Sequence, residues 1–564
     1  ITKHANGYVL NEFYTAKDYP VITQRTKPDD QERKSGFLAS FLSMNVKHYM
    51  TASQGFSVVL NDMHGKPKAV KVYAEGKLGA ISGIAYHYKD NGYKFNGNKI
   101  HGNELVNTTS VITKEGKIEN AMVGVDYDFI SDFREQQTEA LNIGAAFDLY
   151  TFTIFVLPFA IPTVWPTLNT ENTRFRSAST TKVVNQYGLL DETVAWDQNS
   201  IIRTNILALD AETGQSLVTQ TVNEYNDKQF SLNYPAHWAY DQMGMSYSRI
   251  GLEGDNIDVS GTGFITNNLL IDGSYLVQTG DELALYDIPD GNFVSKAWAW
   301  DENDDLNWIL LDESGEKIVQ GKYDLKIIKP AHKNMLEASV GSLITKTSPL
   351  EDLSLENKIN ITEQHGILNA TAVIYDSSWR TFCDCNLGDA LGNPFLNGRL
   401  GMYKPEQSYY YPSVRTTTQG ELSNNPIRID GVYETFSPMW DPPAVMGAPW
   451  DLQTDNWKYT STTLNYSPYG PGIEDMNYAG IYSSAIFGYN HSLPVTVASN
   501  AQRREIIFDG FEDYNMSKCT DGHFNFYEFE NNVGSEKAHS GRNSIRLAPE
   551  GKISVTRNLS GCNK

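Results

Sequence analysis

Short runs of residues that favour extended backbone, cut at intervals by a residue followed by glycine, set the strongest limit on what this chain can fold into. Between 51 and 125 the runs GFSVVLND, AVKVYAEG, ISGIAYHYK and SVITKEGKI are separated by His64-Gly65, Asn91-Gly92, Asn96-Gly97 and Glu115-Gly116. Such pairs supply the positive φ that a tight turn between antiparallel strands demands. The punctuation returns from 255 to 330, where Asp272-Gly273, Asp290-Gly291 and Ser314-Gly315 divide the chain around ELALYDI, KAWAWDE and NWILLDE. Regular turn spacing of this kind predicts a small barrel or sandwich. The expected fold is mainly β, with several β-sandwich or small β-barrel domains and a few short helices.

Three segments break the strand pattern. Residues 28–45 carry Phe37, Leu38, Phe41 and Leu42 on one helical face after the acids Asp29, Asp30 and Glu32, which predicts a helix with its negative charges at the N-terminus. Residues 132–142 are polar and read as helical. Residues 331–345, AHKNMLEASVGSLIT, read as a further helix weakened by Gly341. The apolar run 151–166, TFTIFVLPFAIPTVWP, is too short and too rich in proline for a membrane-spanning helix and reads as a buried extended segment.

A chain of 564 residues exceeds what a single core serves. The expected divisions are a β-rich N-terminal domain with short helices over 1–150, a β-rich continuation over 151–254 and a small barrel or sandwich over 255–330. A helix plus a loop-heavy Tyr/Trp-rich β region follows over 331–503, and an incomplete jelly-roll-like module over 504–564. The formal charge of −22 repels a phosphate backbone, because nucleic-acid affinity comes from Lys and Arg that neutralise phosphates. Nucleic acid is therefore not an expected partner, and no stretch is long and apolar enough to read as a membrane-spanning helix.

Few residues offer chemistry. The eleven histidines are scattered, with no HExxH, and no GxSxG, GxxxxGK[ST] or strand-linked GxGxxG occurs. The expectation is a protein that is not an enzyme. Asp301, Asn303, Asp305 and Asp312 stand at positions one, three, five and twelve of an EF-type calcium loop, but Leu306 occupies the glycine position, which favours a solvated acidic hairpin. Asp509 and Glu512, in DGFED, form a second candidate for structural calcium. Of the four cysteines, Cys383 and Cys385 are too close to bridge each other comfortably. Cys519 and Cys562 read as a disulfide, with a loosely spaced zinc set of Cys519, His523, His539 and Cys562 as the alternative. Tyr410, Trp440 and Trp450 are candidates for a platform on which sugar rings stack, with core packing as the alternative.

The segments NEFYTAKDYP (11–20), YMTASQGF (49–56), NDMHGK (61–66), FRSASTTKVV (175–184), DAETGQSLVT (210–219) and YPAHWAY (234–240) together resemble very large exported proteins of Bacteroidota, some of them RHS-repeat-associated or cell-surface proteins. The likeness continues through HKNMLEASVGSL (332–343), WRTFCDCN (379–386), NPFLNGRLG (393–401) and FDGFEDY (508–514). It implies an extracellular or surface location, type IX export, and partners among the other domains of the same large protein, the export machinery, surface proteins and glycans. FDGFEDY with AHSGRNSIRL (538–547) is also similar to the opening of galactose-binding-like jelly rolls, which implies Glu512 as a calcium ligand beside Ser540-Gly541. The start at Ile1 and the stop at Lys564 suggest a parent protein that continues at both ends. No run of YD-type repeats is present, so the toxin-encasing shell of RHS proteins does not carry over. The function expected is a non-catalytic structural or adhesive segment, with a glycan-binding module or the N-terminal part of a toxin-delivery protein as alternatives.

Overall fold

The computed structural model describes residues 7–25, 45–95, 98–154, 157–247, 249–265, 275–288, 290–303, 307–351, 357–379, 392–396, 398–413, 415–416, 432–433, 435–443, 450–467, 470–489, 492–506, 508–512, 531–539 and 541–547. It is mainly β. Its helices among the described residues are one α-turn, Ala236–Ala239, and 3-10 turns at Asp241–Met243, Glu363–His365 and Arg503–Glu505. The expected helix over 28–45 falls largely outside the described residues.

Contacts divide the chain into two compact units. The first comprises Ile1–Ser110, Asn120–Ile206 and Val222–Asn226. Its main sheet joins Gly7–Phe13, Pro67–Ala74, Ser82–Tyr88, Leu190–Asp197 and the following strand from Ser200, each antiparallel to the next. Tyr14, Tyr19, Met63, Tyr88 and Leu105 form its core.

A second sheet in this unit has the order Val125–Ile154, Leu157–Gln186, Asn45–Asn61, Ile22–Arg25. The first two strands, of 30 residues each, form a hairpin in continuous register from Val125↔Gln186 to Ile154↔Leu157. Residues 132–142 are therefore strand, not helix. Glu, Gln, Ala and Leu there favour a helix locally, but these residues pair in continuous register with 169–179, NTENTRFRSAS, and pairing overrides propensity. The register places Glu135 opposite Arg176, whose Nε lies 3.1 Å from Glu135 Oε2, while Arg174 Nε lies 2.8 Å from Oε1. The described residues of the run 151–166 are extended, as expected. Asn45–Asn61 pairs only from Thr170 onward, so one edge of Leu157–Asn169 has no strand partner among the described residues.

The second unit comprises Val111–Glu119, Leu207–Thr221 and Asp227–Lys564. An antiparallel meander runs through Lys228–Pro235, Ser339–Thr345, Ile367–Ser378, Leu400–Tyr411, Lys458–Tyr466, Gly472–Asn477, Tyr482–Gly488 and Leu493–Ser499. Its core gathers Leu232, Trp238, Leu343, Trp440, Trp450 and Trp457. Where 331–345 was expected to be helical, Ser339–Thr345 is a strand: Val340, Leu343 and Thr345 are buried, and a Cβ on Gly341 would stand 3.0 Å from the Thr371 carbonyl oxygen. The glycine admits the neighbouring backbone.

Lys228–Pro235 pairs directly with Ser339–Thr345, so the intervening segment is an excursion from the meander. It forms a five-stranded sheet in the order Glu253–Val259, Gly321–Lys329, Glu282–Asp287, Phe293–Asp301, Trp308–Leu311. Its own core includes Val259, Leu283, Leu285, Leu310 and Ile327. Gly291 and Gly315 adopt φ of 66° and 84° in two of its turns, the left-handed conformation that glycine enters without steric cost.

Candidate functional site

Buried carboxylates are the chemically distinctive groups of both units, and the strands and turns fix each one. In the first unit Asp90 follows Ser82–Tyr88 and its side chain is fully enclosed. Oδ2 accepts hydrogen bonds from the Tyr19 hydroxyl at 2.8 Å and faces His101 Nδ1 at 2.9 Å, while Oδ1 accepts from the Gly92 N–H at 3.0 Å. Lys99 Nζ stands 3.7 Å from Oδ1 and 3.0 Å from Asp191 Oδ2. Burial alone would raise the Asp90 carboxyl, but the bonds from His101 and Tyr19 and the Lys99 charge outweigh it and hold the group below the ordinary carboxylate range. Burial pushes the His101 imidazole down against the opposing pull of Asp90. Burial, then the bond to Asp90, pushes the Tyr19 phenol up. On the adjacent strands His87 and Glu192 are register partners, with Nδ1 3.0 Å from Oε2. Arg203 lies 3.7 Å from the other Glu192 oxygen.

In the second unit Asp210 closes the strand that begins at Ser200 and is fully buried. Its Oδ1 accepts from the Trp238 indole N–H at 2.8 Å, and its Oδ2 accepts from the Thr213 N–H at 2.9 Å and hydroxyl at 2.6 Å. His237 Nε2 lies 3.3 Å from the same oxygen. Here too burial opposes ionisation, and the bonds from His237, Thr213 and Trp238 prevail, so the carboxyl is held low. Trp238 stacks on Trp450 at 5.4 Å between ring centres, and the Trp450 indole donates to the Lys114 carbonyl at 3.0 Å. These two rings, Tyr234, Phe436 and Asp441 line a cavity of about 200 Å³. Burial, then the nearby Asp451, pushes Asp441 up.

Asp281 shows the same arrangement in the excursion sheet. It accepts from the Ala331 N–H at 2.6 Å and the Gln278 N–H at 2.7 Å, and pairs with Arg249 at 3.0 Å. Three chain segments meet on one carboxylate. None of Asp90, Asp210 or Asp281 stood out in the sequence. The one legible signal was the DAETG stretch, whose Asp and Thr at i and i+3 suit a side-chain-capped turn.

Asp301 ends the strand Phe293–Asp301 and pairs in register with Trp308, so Asp312 lies four strand positions further along. At about 3.3 Å per residue the two are too far apart to be the first and twelfth ligands of one loop. Phe293–Asp301 and Trp308–Leu311 are instead antiparallel partners. Asp312 Oδ1 accepts from the Ser314 N–H and hydroxyl and from the Glu316 N–H, which spends it on the next turn. Asn303 is exposed, and Asp305 lies outside the described residues.

Glu512 lies against Gly541. Its Oε1 accepts from the Arg542 N–H at 2.7 Å and the Asn543 N–H at 2.9 Å, and a Cβ on Gly541 would lie 2.5 Å from that oxygen. Asp509 accepts from the Phe511 N–H at 2.8 Å. Among the described residues no three His, Cys, Asp or Glu side chains gather as a metal-binding group. Cys383, Cys385, Cys519, Cys562 and His523 lie outside the described residues.

Tyr410 is 44% exposed on Leu400–Tyr411, but Trp440 and Trp450 are 7% and 6% exposed and belong to the core. The three do not form a common exposed platform, because side chains alternate along the Tyr409–Tyr411 strand and the indoles pack inward. Among the described residues no helix is long and apolar enough to cross a membrane.

No family model matches the chain, and no curated protein matches it. Among solved structures, one described as the crystal structure of TcdB2-TccC3-TEV aligns with 79% of this chain and 20% of its own length, at 8% identity and a TM-score of 0.17. A likeness at that score carries no weight for fold or function.

Proposed function

We propose that this chain is a non-catalytic scaffold segment of a large secreted or surface-displayed bacterial protein, in which stacked strands space and hold other parts of the same protein. The observation that supports this reading is how the buried acids are used. Asp90, Asp210 and Asp281 each take hydrogen bonds from two or more partners separated along the chain, and so act as joints between turns and strands. A catalytic carboxylate, by contrast, needs an oxygen left for substrate within hydrogen-bond reach. Export by the type IX route and display at the surface rest on the resemblance to exported Bacteroidota proteins.

The test is fractionation and protease shaving of cells that make the parent protein, combined with turnover assays of the purified chain on polysaccharide, peptide and nucleotide panels. The reading predicts recovery in the protease-accessible or secreted fraction and no turnover. Retention in the cytosol, or saturable turnover of any substrate, contradicts it.

A further inference from the structure

Two histidines of the first unit, His87 and His101, are arranged as metal ligands more than as simple ion-pair partners. His87 and His101 each turn Nδ1 to a deeply buried carboxylate, Glu192 at 3.0 Å and Asp90 at 2.9 Å. When a neutral imidazole donates its Nδ1–H to a carboxylate, the tautomer is fixed and the Nε2 lone pair is presented outward; metal-bound histidines are held by second-shell partners of this kind. Neither Nε2 meets a hydrogen-bond partner among the described residues. The ring centres are 5.0 Å apart with planes at 77°. Two imidazoles on one tetrahedral ion, with metal–nitrogen distances of about 2.0–2.1 Å, put their ring centres about 5 Å apart.

Access agrees with this. Asp90, Asp191 and Glu192 stand around the pair with Lys99 and Arg203, and Lys89 lies near Asp191. The Glu192 and Asp90 carboxylates are almost wholly enclosed, yet the His87 and His101 side chains are 18% and 28% exposed, so an ion can reach them from solvent. Nitrogen ligands select a transition ion such as Zn²⁺ or Cu²⁺ over Ca²⁺. We propose that His87 and His101 form a two-histidine site for a divalent transition-metal ion, held in place by Glu192 and Asp90, with water completing the coordination.

The experiment is titration of the metal-free full chain with Zn²⁺ by calorimetry at neutral pH, with Cu²⁺ electron paramagnetic resonance to count bound nitrogens. One saturable equivalent and two imidazole nitrogens are expected. His87→Gln and His101→Gln should each weaken binding at least about tenfold, and Glu192→Gln, with both ligands intact, by roughly 10–100-fold as a second-shell change. Circular dichroism of the metal-free variants checks their folding. If a variant fails to fold, diethyl pyrocarbonate labelling of the unsubstituted chain replaces it, with Zn²⁺ expected to protect both His87 and His101. No saturable binding, a bound ion indifferent to both histidine substitutions, or unchanged labelling of both residues overturns the proposal.

Discussion

Single buried carboxylates govern how this molecule responds to pH and mutation. Asp90 and Asp210 are held below the ordinary carboxylate range although burial opposes ionisation, because hydrogen bonds, and at Asp90 the Lys99 charge as well, outweigh it. A group whose folded value lies below its unfolded value stabilises the fold above the unfolded value and loses that contribution as pH falls through the folded one. Glu212 and Asp441 are raised, by burial first, and work in the opposite direction, costing stability as pH rises past the ordinary carboxylate value. The denaturation midpoint is therefore expected to fall as pH drops below about 4, as a urea titration followed by tryptophan fluorescence would show. A midpoint that rises on acidification would contradict this account. Asp281→Ala strands Arg249 and two backbone N–H groups in the interior, and is expected to cost roughly 3–5 kcal/mol in the same assay. These residues were not legible in the sequence. One aspartate among many acids and Asn-rich turns looks like a solvated loop residue until tertiary structure closes over it.

At the scale of elements, periodicity and turn chemistry carried most of the information. The runs around Asp290-Gly291 and Ser314-Gly315 became strands and turns because apolar alternation and glycine conformations agree there. Residues 132–142 and 331–345 carry helix-favouring side chains, but their partner strands override local propensity: residues 169–179 in one case, and Lys228–Pro235 with Ile367–Ser378 in the other. The long hairpin and the tryptophan core should therefore respond differently to truncation. Glu135→Ala removes a half-exposed pairing with Arg174 and Arg176 and is expected to change stability by less than about 1 kcal/mol. Trp450→Ala removes a buried indole stacked on Trp238 and is expected to cost roughly 3–5 kcal/mol. Equal effects of the two substitutions on the urea midpoint would contradict the division between exposed hairpin and packed core.

Across the whole chain the mainly β class was legible, since turn pairs recur through most of its length. The candidate site was much less so, because it is built from contacts between residues far apart in sequence. Tyr19 and Asp90 lie 71 positions apart, and Ala331 and Asp281 lie 50 apart. The most direct test of the scaffold account is the stability of Asp210→Ala against the unsubstituted chain in equilibrium urea unfolding. If Asp210 is a structural joint, its loss orphans the Trp238 indole N–H and the Thr213 N–H and lowers the midpoint clearly, by an amount corresponding to roughly 3 kcal/mol or more. If the midpoint is unchanged or higher, Asp210 is a group held in the interior at a cost to stability, as functional residues are, and the scaffold account is contradicted.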